Sequence, residues 1–196
     1  MLQVGITGNL GSGKSTVAAI FKQLGIPVFN ADDAAKWLMC NNSGLKKEII
    51  ALFGWEAYLP NGNLNRAHIA SLAFNNQLLL NQLNALVHPQ VQIHYKNWVS
   101  KQDLDTRFVL KEAALLIESK SYLDLDKLIV VAADEETLIA RGMQRDNASR
   151  AQIQERLAKQ IPQSEKIKLA DFVIYNNHNN AVLPQLWDVY NTLLRI

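Results

Sequence analysis

A chain of 196 residues is long enough for one domain with room for an inserted subdomain. Its net charge of +2 is too small to suggest by itself a nucleic-acid or membrane surface, and 48% apolar residues suffice for a full core. The single cysteine, Cys40, excludes an internal disulfide and fits a reducing compartment. No apolar run approaches a membrane span, and the sequence enters its first strand without a basic-then-apolar leader. A water-soluble, cytoplasmic protein is the expectation, as a monomer or weak homo-oligomer.

The first 24 residues hold the strongest motif. Gly8-Asn9-Leu10-Gly11-Ser12-Gly13-Lys14-Ser15 matches G-x-x-x-x-G-K-S/T in full. Leu2, Val4 and Ile6 before it read as a buried strand. Val17, Ile20, Phe21 and Leu24 after it fall at helical spacing. Strand, glycine-rich loop and helix are the context in which this motif binds a nucleotide phosphate chain. The glycines let successive N–H groups point at one anion, and the helix that starts near Gly13 adds its positive end. Lys14 is suited to the β- and γ-phosphates and Ser15 Oγ to Mg²⁺, while Thr16, one residue deeper, is within reach of the α-phosphate.

Gly25 and Pro27 stop that helix, and Ile26, Val28 and Phe29 predict a second short strand. Asp32 and Asp33 follow its carboxyl end, where ligands gather in open α/β sheets. They read equally as a general base or water-mediated metal partner and as the start of a helix over 34–39. Residues 44–100 show helical spacing throughout: Leu45, Ile49, Ile50 and Phe53 up to Gly54, then Ile69, Leu72, Ala73 and Phe74, then Leu79, Leu83, Leu86 and Val87. Asn61-Gly62 marks a turn, and Pro89 predicts a kink or break near His88 before Val91, Tyr95 and Trp98. Residues 34–104 are thus expected to form a helical insertion for the phosphate acceptor. Arg66 and His88 are its polar candidates, each also readable as surface charge or local cap.

Phe108-Val109-Leu110 predicts a third strand with Lys111-Glu112 at its end, and 113–117 an apolar turn of helix. The unbroken apolar run 128–133 predicts a central parallel strand. Asp134 after it resembles a metal-site carboxylate but is better placed as the cap of the next helix. That helix carries Arg141 and Arg145 on one face, and Asp146-Asn147-Ala148 ends it. Ser149-x-x-Gln152 is a capping box for a helix bearing Arg156 and Lys159. This basic pair over 141–169, with Arg150 at its junction, is read as a lid whose arginines close over triphosphate. Pro162 opens a short helix, Phe172–Tyr175 is the last strand, and 182–194 the last helix. Asn176 lies in the loop after that strand, a place for contacts to the nucleotide base. The four histidines and Cys40 show no zinc-ligand spacing.

The ordered set of motifs resembles the dephospho-CoA kinase family over nearly the whole chain. The resemblance rests on residues 5–16, Gly25-Ile26-Pro27-Val28, Ala31-Asp32, Phe53-Gly54, Gly62-x-Leu64-x-Arg66 and Leu83-Asn84-x-x-x-His88-Pro89. It continues with Ala114-Leu115-Leu116-Ile117-Glu118, Gln144-Arg145-Asp146, Arg156-x-x-x-Gln160 and Ala170-Asp171-x-Val173-Ile174-x-Asn176. It implies an α/β fold of the P-loop NTPase type: a three-layer sandwich on a five-stranded parallel sheet, with the helical insertion and the lid. It also implies phosphorylation of the ribose 3′-hydroxyl of dephospho-CoA from ATP and Mg²⁺, with Asp32 as base. Asn30, Ala114 and Ile117 depart from the family's Asp, Pro and Phe, and Asn30 leaves proton acceptance to Asp32. A kinase for another metabolite is the alternative enzyme. A guanine-nucleotide switch is the alternative binding module, although the chain lacks an Asn-Lys-x-Asp element.

Overall fold

The computed structural model describes residues 1–73 and 76–196. They form two compact units, Met1–Asn30 with Gln102–Ile196 and Ala31–Lys101.

The first unit is built on five parallel strands: β1 (Leu2–Thr7), β2 (Val28–Asn30), β3 (Phe108–Glu112), β4 (Lys127–Ala132) and β5 (Phe172–Tyr175). Their order is β2-β3-β1-β4-β5. β4 is buried along nearly its whole length, as an unbroken apolar run requires in a strand covered on both faces. Helices α1 (Lys14–Gln23) and α9 (Val182–Arg195) cover one face. Val4 and Ile6 of β1 pack there with Val17, Phe21, Leu186 and Leu193. Side chains alternate along a strand, so Gly5 points to the opposite face, where Leu116, Leu125 and Leu128 close over it. Helices α6 (Glu135–Asp146), α7 (Arg150–Ala158) and α8 (Gln163–Leu169) complete the unit.

Local signals account for the helix ends. Asp134 caps α6 by accepting the Thr137 N–H at 2.7 Å. Asn147 ends α6 in the left-handed conformation, φ 48°. Both halves of the Ser149–Gln152 capping box are present at the start of α7. Residues 113–117, expected as a helical turn, fall instead at the start of consecutive turns over 114–120, closed by bonds such as Ser119 N–H to Leu115 O.

The second unit is helical: α2 (Ala31–Asn41), α3 (Ser43–Phe53), α4 (Arg66–Ala73) and α5 (Gln77–Val99), with one isolated bridge from Tyr58 to Leu64. Phe74, assigned by spacing to α4, lies outside the described residues. Of the kink or break expected near His88, the break is absent: α5 runs through Pro89 for 23 residues. Val87, Val91 and Tyr95 are buried on either side of Pro89. Their packing outweighs the roughly 3 kcal/mol that an interior proline costs a helix. Tyr58 donates to Met39 O at 2.7 Å, and burial, with a smaller contribution from Cys40, pushes its phenol up to about 12.

No helix among the described residues is long and apolar enough to cross a membrane.

Candidate active site

The loop between β1 and α1 takes its shape from glycine. Gly11 and Gly13 have φ of 81° and 85°, which side chains rarely adopt. A Cβ at Gly8 would run into Val131 O and Ser12 Oγ, one at Gly11 into the backbone of Leu138, and one at Gly13 into the Asn176 amide. α1 starts at Lys14, so its first N–H groups have no acceptor within the helix and point out of its positive end. Ser12 Oγ is buried without a hydrogen-bond partner among the described residues. A preshaped concavity of backbone donors with an unsatisfied buried hydroxyl fits a phosphate chain.

The strand register brings a carboxylate to this loop. Ile6 on β1 stands beside Glu112 on β3, and Glu112 beside Asn30 on β2. Residues in register share a face, so Glu112 and Asn30 emerge on the side that α1 covers. There Ser15 Oγ donates to Glu112 Oε1 at 2.5 Å, and Lys14 Nζ lies 4.0 Å from the same oxygen. Asn30 Nδ2 donates to Glu112 Oε2 at 3.2 Å. Glu112 is only 5% exposed. A buried carboxylate against a cation and a hydroxyl makes a hard-oxygen site at the mouth of the loop. Ser15 Oγ and Glu112 are donors of the kind Mg²⁺ takes when phosphate and water supply the rest of its shell.

Asn176 Nδ2 donates to Ser12 O at 2.8 Å, so the end of β5 is tied to the glycine loop. Arg141 reaches the same corner by donating to Asn176 O at 3.0 Å. Arg145 does not accompany it. Its guanidinium pairs with Asp146 at 2.7 and 3.0 Å, and Arg156 holds the same carboxylate at 2.6 Å. Arg145 first, and then Arg156, lower the Asp146 carboxyl to about 2. Arg150 is engaged with Glu136. The arginines of α6 and α7 are thus split between the loop, reached by Arg141, and a set of exposed ion pairs.

The remaining candidates belong to the helical unit. Asp32 is exposed in the first turn of α2, within the helix rather than before it. Asp33 pairs with Lys36 at 2.7 Å. Arg66 is the exposed first residue of α4, and His88 is exposed in the middle of α5.

Glu112 is the residue that sequence reasoning passed over. Its signal was the one weighed at Asp134: an apolar strand ending in an acid. β3 and β4 both flank β1, so what separates the two acids is their partners: Glu112 meets Ser15 and Lys14, whereas Asp134 is spent on its own helix cap.

Comparison with known proteins agrees with this geometry. The family model described as dephospho-CoA kinase matches residues 2–181. A dephospho-CoA kinase of Bacteroides fragilis is 34% identical over 189 residues, spanning 96% of this chain and 91% of that relative. A crystal structure from Thermus thermophilus is similar with a TM-score of 0.84 and 34% identity, covering 99% of this chain and 96% of that one. A dephospho-CoA kinase structure from Campylobacter jejuni gives a TM-score of 0.72 at 26% identity, covering 98% and 97%. On the match across residues 2–181 and these full-length similarities, the chain belongs to the dephospho-CoA kinase family.

Proposed function

We propose that this protein transfers the γ-phosphoryl group of ATP to the 3′-hydroxyl of the ribose of dephospho-CoA, giving coenzyme A and ADP, the last step of coenzyme A synthesis. The observation that carries this reading is the meeting of Lys14, Ser15 and Glu112 at the mouth of a preshaped glycine loop, in a chain of this family.

Residues 8–16 hold the phosphate chain of ATP: Gly8, Asn9, Leu10, Gly11, Ser12 and Gly13 form the cradle, and Lys14, Ser15 and Thr16 supply side chains. Ser15 and Glu112 hold Mg²⁺, directly or through water. When bound there, such an ion would supply positive charge against the triphosphate. Lys14 and Arg141 neutralise charge on the transferring group, and Arg145 joins them if the 141–169 lid closes and Asp146 releases it. Asn176 fixes the loop beside the nucleotide. Asp32 takes the proton of the 3′-hydroxyl or orients that hydroxyl in line with the γ-phosphate. Arg66 and His88 bind the acceptor within the helical insertion. Phosphoryl transfer asks a protein chiefly for positioning and charge, and these groups supply both. The protein works in the cytoplasm on small molecules, without nucleic-acid or membrane partners, as a monomer or weak homo-oligomer.

Product analysis tests the assignment. With ATP, Mg²⁺ and dephospho-CoA, the product carries one added phosphate by mass, and ³¹P NMR places it as a monoester on the ribose 3′-oxygen. Unchanged dephospho-CoA, or phosphate at any other position, would overturn the assignment.

A further inference from the structure

Among the described residues, two charged side chains are paired under the phosphate loop and touch none of the groups assigned above. Lys166 on α8 is 0% exposed, and its Nζ lies 2.7 Å from Glu118 Oε1, an ion-pair contact without hydrogen-bond geometry. Glu118 Oε2 is buried without a hydrogen-bond partner among the described residues. Lysine is almost never fully buried unless paired. A buried ion pair is also a poor way to hold a fold together, because apolar residues of similar volume often do as well or better. Stability alone gives little reason for these two residues here.

The bonds around the pair supply another reason. Glu118 Oε1 also accepts the Ile161 N–H at 3.2 Å. Ile161 O accepts Asn9 Nδ2 at 3.3 Å, and Gln160 Oε1 accepts the Leu10 N–H at 3.0 Å. Asn9 and Leu10 form the crest of the phosphate loop. On its other side the same segment is pinned to the end of β4, where Gln163 Oε1 accepts the Ala133 N–H at 3.0 Å. Residues 160–163 join α7 to α8, so this is the point at which the arginine-bearing helices return to the sheet unit.

We propose that Lys166 and Glu118 are a positioning pair: through the Ile161 peptide and Gln160 they fix the crest of the phosphate loop, and so set the affinity of that loop for the triphosphate of ATP. The inference rests on the reading of the loop as an ATP site. Neither side chain is asked to touch the nucleotide. Lys166 orients the Glu118 carboxylate, Glu118 orients the 160–161 peptide, and that peptide holds Asn9 and Leu10. Loss of the pair frees the Ile161 N–H and loosens the crest, so that the loop donors no longer converge on the phosphates. Displacements of about 1 Å in such a site cost on the order of 10²-fold.

The test separates positioning from stability. Lys166→Met alone strands a buried carboxylate and is expected to destabilise the chain. The informative variant is the double change Lys166→Met with Glu118→Leu, which keeps an apolar filling without buried charge. Gln160→Leu cuts one of the two bonds to the loop, that to Leu10, and leaves the pair intact. For each full-length protein the ligand-free melting midpoint, the ATP dissociation constant by calorimetry, and kcat and KM are measured. The expected result is a double variant that melts near wild type, binds ATP roughly ten- to a hundredfold more weakly, and keeps its KM for dephospho-CoA. Gln160→Leu is expected to show part of the same loss with an unchanged midpoint. A double variant that melts like wild type and binds ATP within twofold of it would overturn the proposal. If the double variant does not fold, Gln160→Leu binding ATP within twofold of wild type overturns it. A wild-type chain that binds no ATP would overturn the ATP reading and this one with it, a pattern distinct from a difference between variants.

Discussion

The two compact units bury different kinds of side chain. In the sheet unit, Thr7, Asn9, Ser12, Lys111, Glu112, Thr137 and Lys166 are all buried. In the helical unit, the buried side chains among the described residues are Leu38, Leu45, Ile49, Phe53, Ala57, Ile69, Val87, Val91, Tyr95 and a few alanines. A buried polar group costs free energy unless it is held by partners or awaits a ligand, so its position is set by the fold. An exposed one is placed by its helix and acquires its working geometry with the ligand. Burial of polar groups therefore separates the preorganised glycine-loop site, proposed for phosphate, in the sheet unit, from the exposed candidates for the acceptor, Asp32, Arg66 and His88.

The largest expected effect comes from an exposed residue of the helical unit. Asp32→Asn should lower kcat by ~10²–10⁴ with little change in the KM for ATP, as loss of a general base does. Steady-state kinetics with both substrates varied would show it, and turnover within about threefold of wild type would remove Asp32 from the chemistry. Next is Lys14→Met in the sheet unit, expected to lower kcat by about 10²–10³, the usual loss for a preorganised charge at a transition state. A third change tests the residue that only the structure singled out. Glu112→Gln should raise the Mg²⁺ concentration for half-maximal rate by roughly 10–100-fold while leaving metal-free ATP binding nearly intact. Equal Mg²⁺ curves for variant and wild type would move the metal away from β3.

The smallest effect concerns the exposed ion pairs of α6 and α7. Arg145 and Arg156 depress the Asp146 carboxyl from the usual 3.8 to about 2. A depressed carboxylate stabilises the fold above its unfolded value, and that contribution is lost as pH falls through the folded one. The contribution should therefore be complete above roughly pH 4 and gone near pH 2, a window set by the shift itself. The pair is solvent-screened, so its worth is about 1 kcal/mol or less. Melting midpoints of Asp146→Asn and wild type should differ at neutral pH and converge in acid. A constant difference down to pH 2 would contradict the ion-pair account.

How much was legible in the sequence follows the same division. The glycine loop, the strands and the helix caps rest on local signals, and these elements lie where spacing and turn chemistry put them. β2 is shifted, because Ile26 is taken by the turn after α1, where its N–H donates to Phe21 O. Glu112 was hidden because an acid after an apolar strand gains meaning only from the partners it meets, and those are set by tertiary structure. Lys166 reads as one more surface lysine in a polar helix, and its partner Glu118 is 48 residues earlier in the chain. The bonds from Asn9 to Ile161 and from Leu10 to Gln160 span about 150 residues, which leaves no spacing to read. At Pro89 the reverse holds for a helix break: that local rule yielded to the packing of Val87, Val91 and Tyr95.

The central claim is that the preorganised phosphate site serves one acceptor. The most direct measurement is coupled ADP release with ATP and Mg²⁺, alone and with dephospho-CoA, adenosine, AMP or gluconate. The account predicts slow release alone, a large stimulation by dephospho-CoA, and little by the others. Stimulation by a different acceptor, or by none, would contradict it.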